Sequence, residues 1–120
     1  MDLAPGLEHA FDFTVEGDLL TDVGGALSTP VLATPRMIGQ MEWCSVLAVR
    51  DAYPEGRASV GFEVCIRHVD GAPEGSVCTV RSVLREVVDA RKLRFDVEVT
   101  QDGRTIGVGT HEGRLVSTTP

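Results

Sequence analysis

The sequence has little of several features that define whole classes of protein. Aromatic residues make up only 5% of its 120 residues, so the core must be built from aliphatic side chains. A basic excess is also missing: the formal net charge is −7, which disfavours nucleic acid and anionic membranes because both bind a basic face. No apolar run approaches the roughly 18 residues of a membrane span, and the N-terminal MDLAPGLEHA does not resemble a signal peptide. We therefore expect a soluble, cytoplasmic protein that binds neither nucleic acid nor membrane.

Cysteine is scarce and irregularly placed. Cys44, Cys65 and Cys78 are odd in number and show no Cys-x-x-Cys spacing, which argues against a disulfide framework and a structural zinc site. Each has apolar residues close by, so we expect buried free thiols in a reducing compartment. The sequence predicts no metal and no cofactor.

The length indicates a single domain over residues 1–120, with one helix in its first half. The segment HAFDFTVEG alternates apolar and polar residues like a half-buried strand. Residues 21–30 contain Gly, Ser and Pro, as expected of a loop or lid. A helix is predicted over Pro35–Ala52, with Thr34 as its N-cap. The side chains expected to face the core are Met37, Met41, Cys44 and Ala48, with Ile38 and Leu47 alongside.

Four further strands follow the helix. The runs SVGFEVCIRHV and KLRFDVEVT each alternate with the period of a strand, and QDGR after the second is a strong hairpin signal. Short connections imply antiparallel pairing. The residues expected on the core-facing sides of these two strands are Val60, Phe62, Val64, Ile66 and His68, then Leu93, Phe95, Val97 and Val99.

This order of elements predicts an α+β protein. Gly107 and Gly109 alternate in the last strand and would let a helix or a ligand approach the backbone. We predict the hot-dog fold, a five-stranded antiparallel sheet wrapped around one long central helix. One helix cannot cover both faces of such a sheet, so solvent or a second subunit must cover the rest.

A few polar residues within apolar patterns are candidates for chemistry. Glu42 lies beside the single tryptophan of the chain, within the predicted helix. His68 ends an apolar strand face, and His111 lies on the glycine face of the last strand. Taken singly, Glu42 fits a solvated position, His68 a structural histidine and Thr34 a helix cap. Together a carboxylate, an imidazole and a hydroxyl are the groups that acyl transfer or hydrolysis requires.

Three segments carry a resemblance to a known family. PVLATPRMIGQMEWC, SVGFEVCIRHVDGAPEGSVCTV and IGVGTHEGRLV together resemble the fluoroacetyl-CoA thioesterase family of hot-dog proteins, over roughly residues 28–116. The resemblance implies that Thr34, Glu42 and His68, spaced by eight and then 26 positions, are the catalytic residues.

The resemblance also implies a substrate-binding wall at Gly61. We assign Pro35 and Arg36 at the helix start, together with His111 and Arg114, to substrate binding as well. Two departures from the family are visible. The loop TDVGGALSTP lacks the aromatic residues of the fluoroacetate-specific lid, and Gly113 replaces the family's arginine after His-Glu, with Arg114 one place later.

The function expected from these residues is hydrolysis of a small acyl-CoA or acyl-carrier thioester. Eight helical residues rise about 12 Å, so a Thr34 that caps the helix cannot touch Glu42 of its own chain. Either the segment 34–37 is not helical, or the working site combines residues of two subunits. The second option agrees with the uncovered sheet surface, and we expect a homodimer with acyl sites shared between subunits. The alternatives are a non-catalytic protein that binds an acyl group or small ligand, and an acyl-thioester hydratase. Hydratases of this fold have an aspartate and a histidine close in sequence, but here Asp70 follows His68 in the wrong order and is expected to be a turn residue.

Overall fold

One five-stranded antiparallel sheet and one long helix make up most of the chain, in a computed structural model that describes residues 2–119. The strands are β1 (Glu8–Thr14), β2 (Leu20–Thr21), β3 (Val31–Leu32), β4 (Arg57–His68), β5 (Val77–Val88), β6 (Lys92–Gln101) and β7 (Arg104–Ser117), and the helix α1 is Thr34–Val49. The order in the main sheet is β1-β5-β6-β7-β4, and β2 and β3 form a separate two-stranded sheet. The predicted order of one strand, a helix and four strands is confirmed for the main sheet, whereas the short strands β2 and β3 were not predicted.

The helix begins one residue earlier than predicted. Ala33 is the N-cap, with extended dihedrals of φ −74° and ψ 136°, and no side chain caps the first turn. The predicted N-cap role of Thr34 is therefore wrong: this residue is helical, and its hydroxyl is free to bond elsewhere. The helix ends at Val49, and a 3-10 turn at Arg50–Ala52 carries the chain on.

The core lies between α1 and the inner face of the sheet. All four residues expected to face the core from KLRFDVEVT are buried, and so are the four expected from the helix. Gly107 allows the helix to approach β7 closely, because a Cβ there would lie 2.5 Å from Sδ of Met37. The hydrophobic side chains buried in this core include Met37, Met41, Cys44, Ala48, Leu93, Phe95, Val97, Val99 and Ile106.

Two tight turns set the register of the antiparallel strands. Asp102 and Gly103 join β6 to β7 with φ values of 50° and 77°, as expected of the predicted hairpin. Asp89 and Ala90 join β5 to β6, also with positive φ, at 56° and 51°. These turns align β5, β6 and β7 so that their apolar sides all face α1.

A β-bulge divides β4 into two halves with opposite facing. Gly61 pairs with Gly113, but Glu63 pairs with Glu112, so Phe62 is an extra residue. The expected single core face of β4 is therefore wrong, because an inserted residue reverses the facing of everything before it. On β4 the residues directed to the inner face are Ser59, Gly61, Val64, Ile66 and His68, whereas Val60 and Phe62 are directed to the outer face and are exposed.

The environment of the cysteines corrects another expectation. Cys44 and Cys78 are buried, as predicted, but Cys65 is exposed on β4. Burial raises the pKa of the Cys44 thiol to about 11. The thiol of Cys44 also lies 3.3 Å from the carbonyl oxygen of His9, which ties the helix to β1.

Within residues 2–119, no helix combines the length and the apolar character needed to cross a membrane.

Candidate active site

The first pair of candidate catalytic groups joins the start of α1 to the end of β4. The hydroxyl oxygen of Thr34 lies 2.7 Å from Nδ1 of His68. Nε2 of His68 is buried and has no hydrogen-bond partner among the described residues. The N-terminal turn of α1 begins at this pair and carries backbone N–H groups that the helix itself leaves unpaired. A hydroxyl, an imidazole and a positive helix end therefore converge at one place.

The second pair lies farther along the helix. The Glu42 carboxylate is 3.9 Å from Nε2 of His111, and its side chain is 44% exposed, against 5% for His111. His111 stacks on Phe95, with ring centroids 5.4 Å apart and an angle of 17° between the planes. Burial lowers the pKa of His111, and the negative charge of Glu42 opposes that shift in part. The imidazole is thus held neutral beside a carboxylate.

Gly61 forms the floor beneath Glu42. A Cβ at this position would lie 2.7 Å from a carboxylate oxygen of Glu42 and 3.8 Å from Nε2 of His111. Only a residue without a side chain allows the carboxylate to lie this close to the strand. Gly61 therefore faces the candidate site, as the resemblance implied.

The two pairs are separate within one chain. Thr34 and Glu42 belong to the same helix and are about 12 Å apart along its axis. His68 and Gly61 lie on the same strand, about 20 Å apart at roughly 3.3 Å per residue when Phe62 is counted as the extra residue of the bulge. The three predicted catalytic residues thus lie in two groups, Thr34 with His68 at the end of β4 and Glu42 over Gly61 near its middle, here called the two half-sites.

A shallow groove of about 320 Å³ adjoins the Glu42 half-site, lined by Glu42, Gly61, Phe62, Glu63 and Val64. Two larger depressions, of about 510 and 580 Å³, are lined chiefly by residues of β5, β6 and β7 and contain none of the three predicted catalytic residues. The groove beside Glu42 is open at the outer edge of β4, where no strand of the described residues pairs with it.

The remaining predicted substrate-binding residues are divided between the two faces. Pro35 and Arg36 are exposed in the first turn of α1, next to Thr34. Arg114 lies on the outer face, where its guanidinium is 3.5 Å from the centroid of the Phe62 ring. Its Nε donates to Glu112 at 2.7 Å. Arg114 is therefore on the opposite side of the sheet from Glu42.

An ionic network on the outer face was not anticipated from sequence. Arg94 and Arg114 both donate to the carboxylate of Glu112, at 2.9 and 2.7 Å. These hydrogen bonds, that of Arg114 first, lower the pKa of Glu112. Arg114 also packs over the ring of Phe62, the extra residue of the bulge. The network therefore stabilises the bulge, which directs Gly61 to the inner face. Alternation along β7 would have indicated that Glu112 and Arg114 share a face.

Asp70, considered for a hydratase, is a turn residue. It accepts a hydrogen bond from the backbone N–H of Gly71 at 2.8 Å and forms an ion pair with Arg104. The hydrogen bond from Arg104, together with that of Gly71, lowers the pKa of Asp70. The carboxylate is thus occupied in holding the β4–β5 turn. Among the described residues no cluster of three His, Cys, Asp or Glu side chains is arranged to bind a metal ion.

Comparison with known proteins identifies the family. The fluoroacetyl-CoA-specific thioesterase family matches residues 15–119. The chain belongs to this family. A curated relative, the fluoroacetyl-CoA thioesterase of Streptantibioticus cattleyicolor, is 36% identical over 86 residues. That alignment covers 72% of this chain but 61% of the relative, less than two-thirds of its length.

Solved structures of this thioesterase family share the whole fold. The fluoroacetyl-CoA thioesterase FlK superposes with a TM-score of 0.86 at 29% identity, over 98% of this chain and 90% of FlK. A FlK variant in complex with fluoroacetate and CoA matches with a TM-score of 0.86 at 30% identity, over 97% of each chain. A hot-dog-like protein from Thermanaerovibrio acidaminovorans gives the same TM-score at 20% identity, over 95% of this chain and 84% of its own, and supports the fold alone. The predicted hot-dog fold is confirmed.

Proposed function

We propose that this protein hydrolyses a small acyl-CoA or acyl-carrier thioester. Membership of a thioesterase family supports this reaction, and a solved member of the family was obtained with CoA bound. The observation that carries the proposal is the 2.7 Å contact between the Thr34 hydroxyl and His68, at the N terminus of the helix that also bears Glu42. These are the groups that a thioester hydrolase needs to polarise a carbonyl, activate water and protonate a thiolate.

The roles follow from the two half-sites. The unpaired N–H groups at the start of α1 accept the developing negative charge of the thioester oxygen. Glu42 removes a proton from the attacking water; alternatively it attacks the carbonyl carbon itself, and water then hydrolyses the acyl anhydride that forms. When Nδ1 of His68 accepts the hydrogen bond of the Thr34 hydroxyl, the neutral ring carries its own proton on Nε2. The bond from carbon to sulfur breaks, the Nε2 proton passes to the departing thiolate, and the proton taken from water returns to His68.

The separation of the two half-sites within one chain supports a homodimer in which each site is shared between subunits. β4 is a 12-residue edge strand with no partner on one side in the described chain. Natural proteins rarely leave so long an apolar edge uncovered, because it invites pairing with another strand. A second β4, running antiparallel, would bring the Thr34 and His68 half-site of one subunit against the Glu42 half-site of its partner.

The register we propose for that pairing takes account of the bulge in β4. In an antiparallel pair, two residues directly opposite each other lie on the same face of the sheet, and side chains alternate between faces along a strand. Residues of the two β4 strands that pair must therefore be an even number of positions apart, so the twofold axis passes through a residue and not between two residues. With the axis at Cys65 and Phe62 counted as the extra residue of the bulge, His68 lies directly opposite Gly61 of the other chain. That register unites a hydroxyl, an imidazole and a carboxylate around one groove, twice per dimer.

The activity is tested by thiol release from a panel of short, branched and aromatic acyl-CoA thioesters. We expect the wild type to release thiol, His68→Ala to lose this release, and His9→Ala, a histidine change outside the site, to retain it. Lack of release from every CoA ester and from acyl-carrier thioesters would overturn the proposal. A rise in melting temperature with an acyl-CoA, without turnover, would then favour the non-catalytic alternative.

The dimer is tested through Cys65. In the proposed register the two Cys65 side chains face each other, with Cβ atoms about 4.5–5.5 Å apart, close enough for mild oxidation to link them after a small shift. We expect a covalent dimer on non-reducing gels for the wild type, and an uncrosslinked dimer by light scattering for Cys65→Ser. A monomer at micromolar concentration would contradict the shared site.

A further inference from the structure

His111 is the most unusual polar group in the core. Its side chain is 5% exposed, yet neither Nδ1 nor Nε2 has a hydrogen-bond partner among the described residues. Buried nitrogen and oxygen atoms are paired in the great majority of cases, and each unpaired one destabilises the fold. An apolar residue of the same shape would avoid that cost. Packing alone therefore does not explain why a histidine occupies this buried position.

The neighbours of His111 indicate which group its imidazole interacts with. One face of its ring stacks on Phe95, which fixes the plane of the imidazole. Its Nε2 atom is directed toward Glu42, at 3.9 Å, and toward the bare backbone of Gly61. Val64, paired with His111 across the two strands, is apolar and offers no competing partner. Among the described groups, the Glu42 carboxylate alone brings a charge to this imidazole.

We propose that His111 is a positioning residue that holds the Glu42 carboxylate over Gly61 through a hydrogen bond donated by Nε2. The gap between Nε2 and the carboxylate oxygen closes by about 1 Å to reach hydrogen-bond length. Glu42 can supply that movement, because its side chain is half exposed and flexible whereas the ring of His111 is stacked and buried. This inference rests on the proposed hydrolysis and assigns a residue that supports Glu42 within it.

The arrangement explains why a neutral imidazole is suited to the task. A neutral histidine donates one hydrogen bond without cancelling the charge of the carboxylate. The carboxylate then remains a base, but its direction is fixed. Hydrogen bonds to ionised groups are short and directional, so one donor is enough to select a single orientation.

The first test compares two substitutions of His111. His111→Phe keeps the aromatic stack on Phe95 and removes the donor. His111→Gln places an amide N–H near the original Nε2 and restores it. We expect kcat to fall by about 10- to 100-fold in His111→Phe, with KM changed less than about twofold, and to recover largely in His111→Gln. We also expect thermal melting of His111→Phe to be unchanged or higher, since the buried, unpaired Nδ1 is gone and the half-exposed Glu42 carboxylate can turn to water.

These outcomes separate a positioning role from a structural one. A structural histidine would leave kcat unchanged in His111→Phe, or lower stability and activity together in both variants. Either result overturns the inference.

A second measurement does not depend on turnover. The ¹⁵N chemical shifts of the His111 ring report which nitrogen carries the proton. We expect protonated Nε2 in the wild type and loss of this preference in Glu42→Ala; no difference between the two proteins would contradict the inference. If Glu42→Ala retains full turnover, the proposed catalytic role of Glu42 fails instead, so the two failures are distinguishable.

Discussion

Replacing Gly61 by alanine tests the geometry of the Glu42 half-site with the smallest available change. The new Cβ would lie 2.7 Å from a carboxylate oxygen of Glu42, whereas ordinary contact begins near 3.4 Å. The obstacle is the end of a flexible, half-exposed side chain, so the carboxylate moves and the backbone does not. The required displacement is about 0.7 Å, the difference between these two distances.

The expected effects on activity and stability differ in size. A misplacement of about 1 Å can cost 10²-fold in rate, so we expect kcat to fall by about 10- to 100-fold. The free energy of unfolding should change by less than about 1 kcal/mol, because the Glu42 carboxylate can move away from the new Cβ and because alanine restricts the unfolded chain more than glycine does. The assays are steady-state thiol release and urea unfolding of the same preparations.

Gly113 supplies the matched control for this experiment. It lies directly opposite Gly61 in the register, but a Cβ there would meet only Val60 and Ser59, at 3.4 and 3.7 Å. We expect Gly113→Ala to retain kcat. Wild-type turnover in Gly61→Ala, or an equal loss in both variants, would refute the assignment of Gly61 as the floor of the Glu42 site.

Three further predictions concern the core. Gly107→Ala would place a Cβ 2.5 Å from Sδ of Met37 and 3.2 Å from Cε of Met41, and we expect a loss of about 1–3 kcal/mol in urea unfolding; unchanged stability would contradict the close approach. Because burial lowers the pKa of His111, the unfolded chain binds this proton first, so the wild type should lose stability as pH falls below about 6.5, by at most about 1.4 kcal/mol per pH unit. His111→Phe should lose less over that window, and parallel curves would contradict the expectation. The Cys44 thiol, buried with a pKa of about 11, should resist alkylation at pH 8 until the protein is unfolded.

Local periodicity predicted the helix and the five strands of the main sheet, but not the short strands β2 and β3. The alternation in KLRFDVEVT and the turn QDGR correspond to β6 and its hairpin, because both depend on neighbouring residues alone. The apolar spacing of Met37, Met41 and Cys44 likewise predicted the buried side of α1. These patterns are strong because one face of each element is buried and the other is not.

The errors arose where distant residues decide the local structure. The alternation of β4 favoured a single core face, but the bulge at Phe62 is stabilised by Arg114 and by the fit of Gly61 beneath Glu42. Neither contact can be inferred from β4 itself. Thr34 was predicted as a cap for the same reason: its real partner, His68, is 34 positions away.

The candidate site shows the same limit. Resemblance to the family indicated Thr34, Glu42 and His68, and the distance along the helix left two possibilities, a non-helical segment at 34–37 or a site built from two subunits. The segment is helical from Thr34 onward. The contact of Glu42 with His111 was not anticipated, because it depends on how α1 packs against β7.

The most direct test of a shared site is complementation between two inactive variants. Glu42→Ala retains Thr34 and His68, and His68→Ala retains Glu42. Co-refolding the two in equal amounts would yield about half mixed dimers, each with one intact site, and therefore about a quarter of wild-type thiol release. Recovery near that value, from variants that are inactive alone, is the result the shared site predicts. A mixture that forms dimers by light scattering and remains inactive would contradict it.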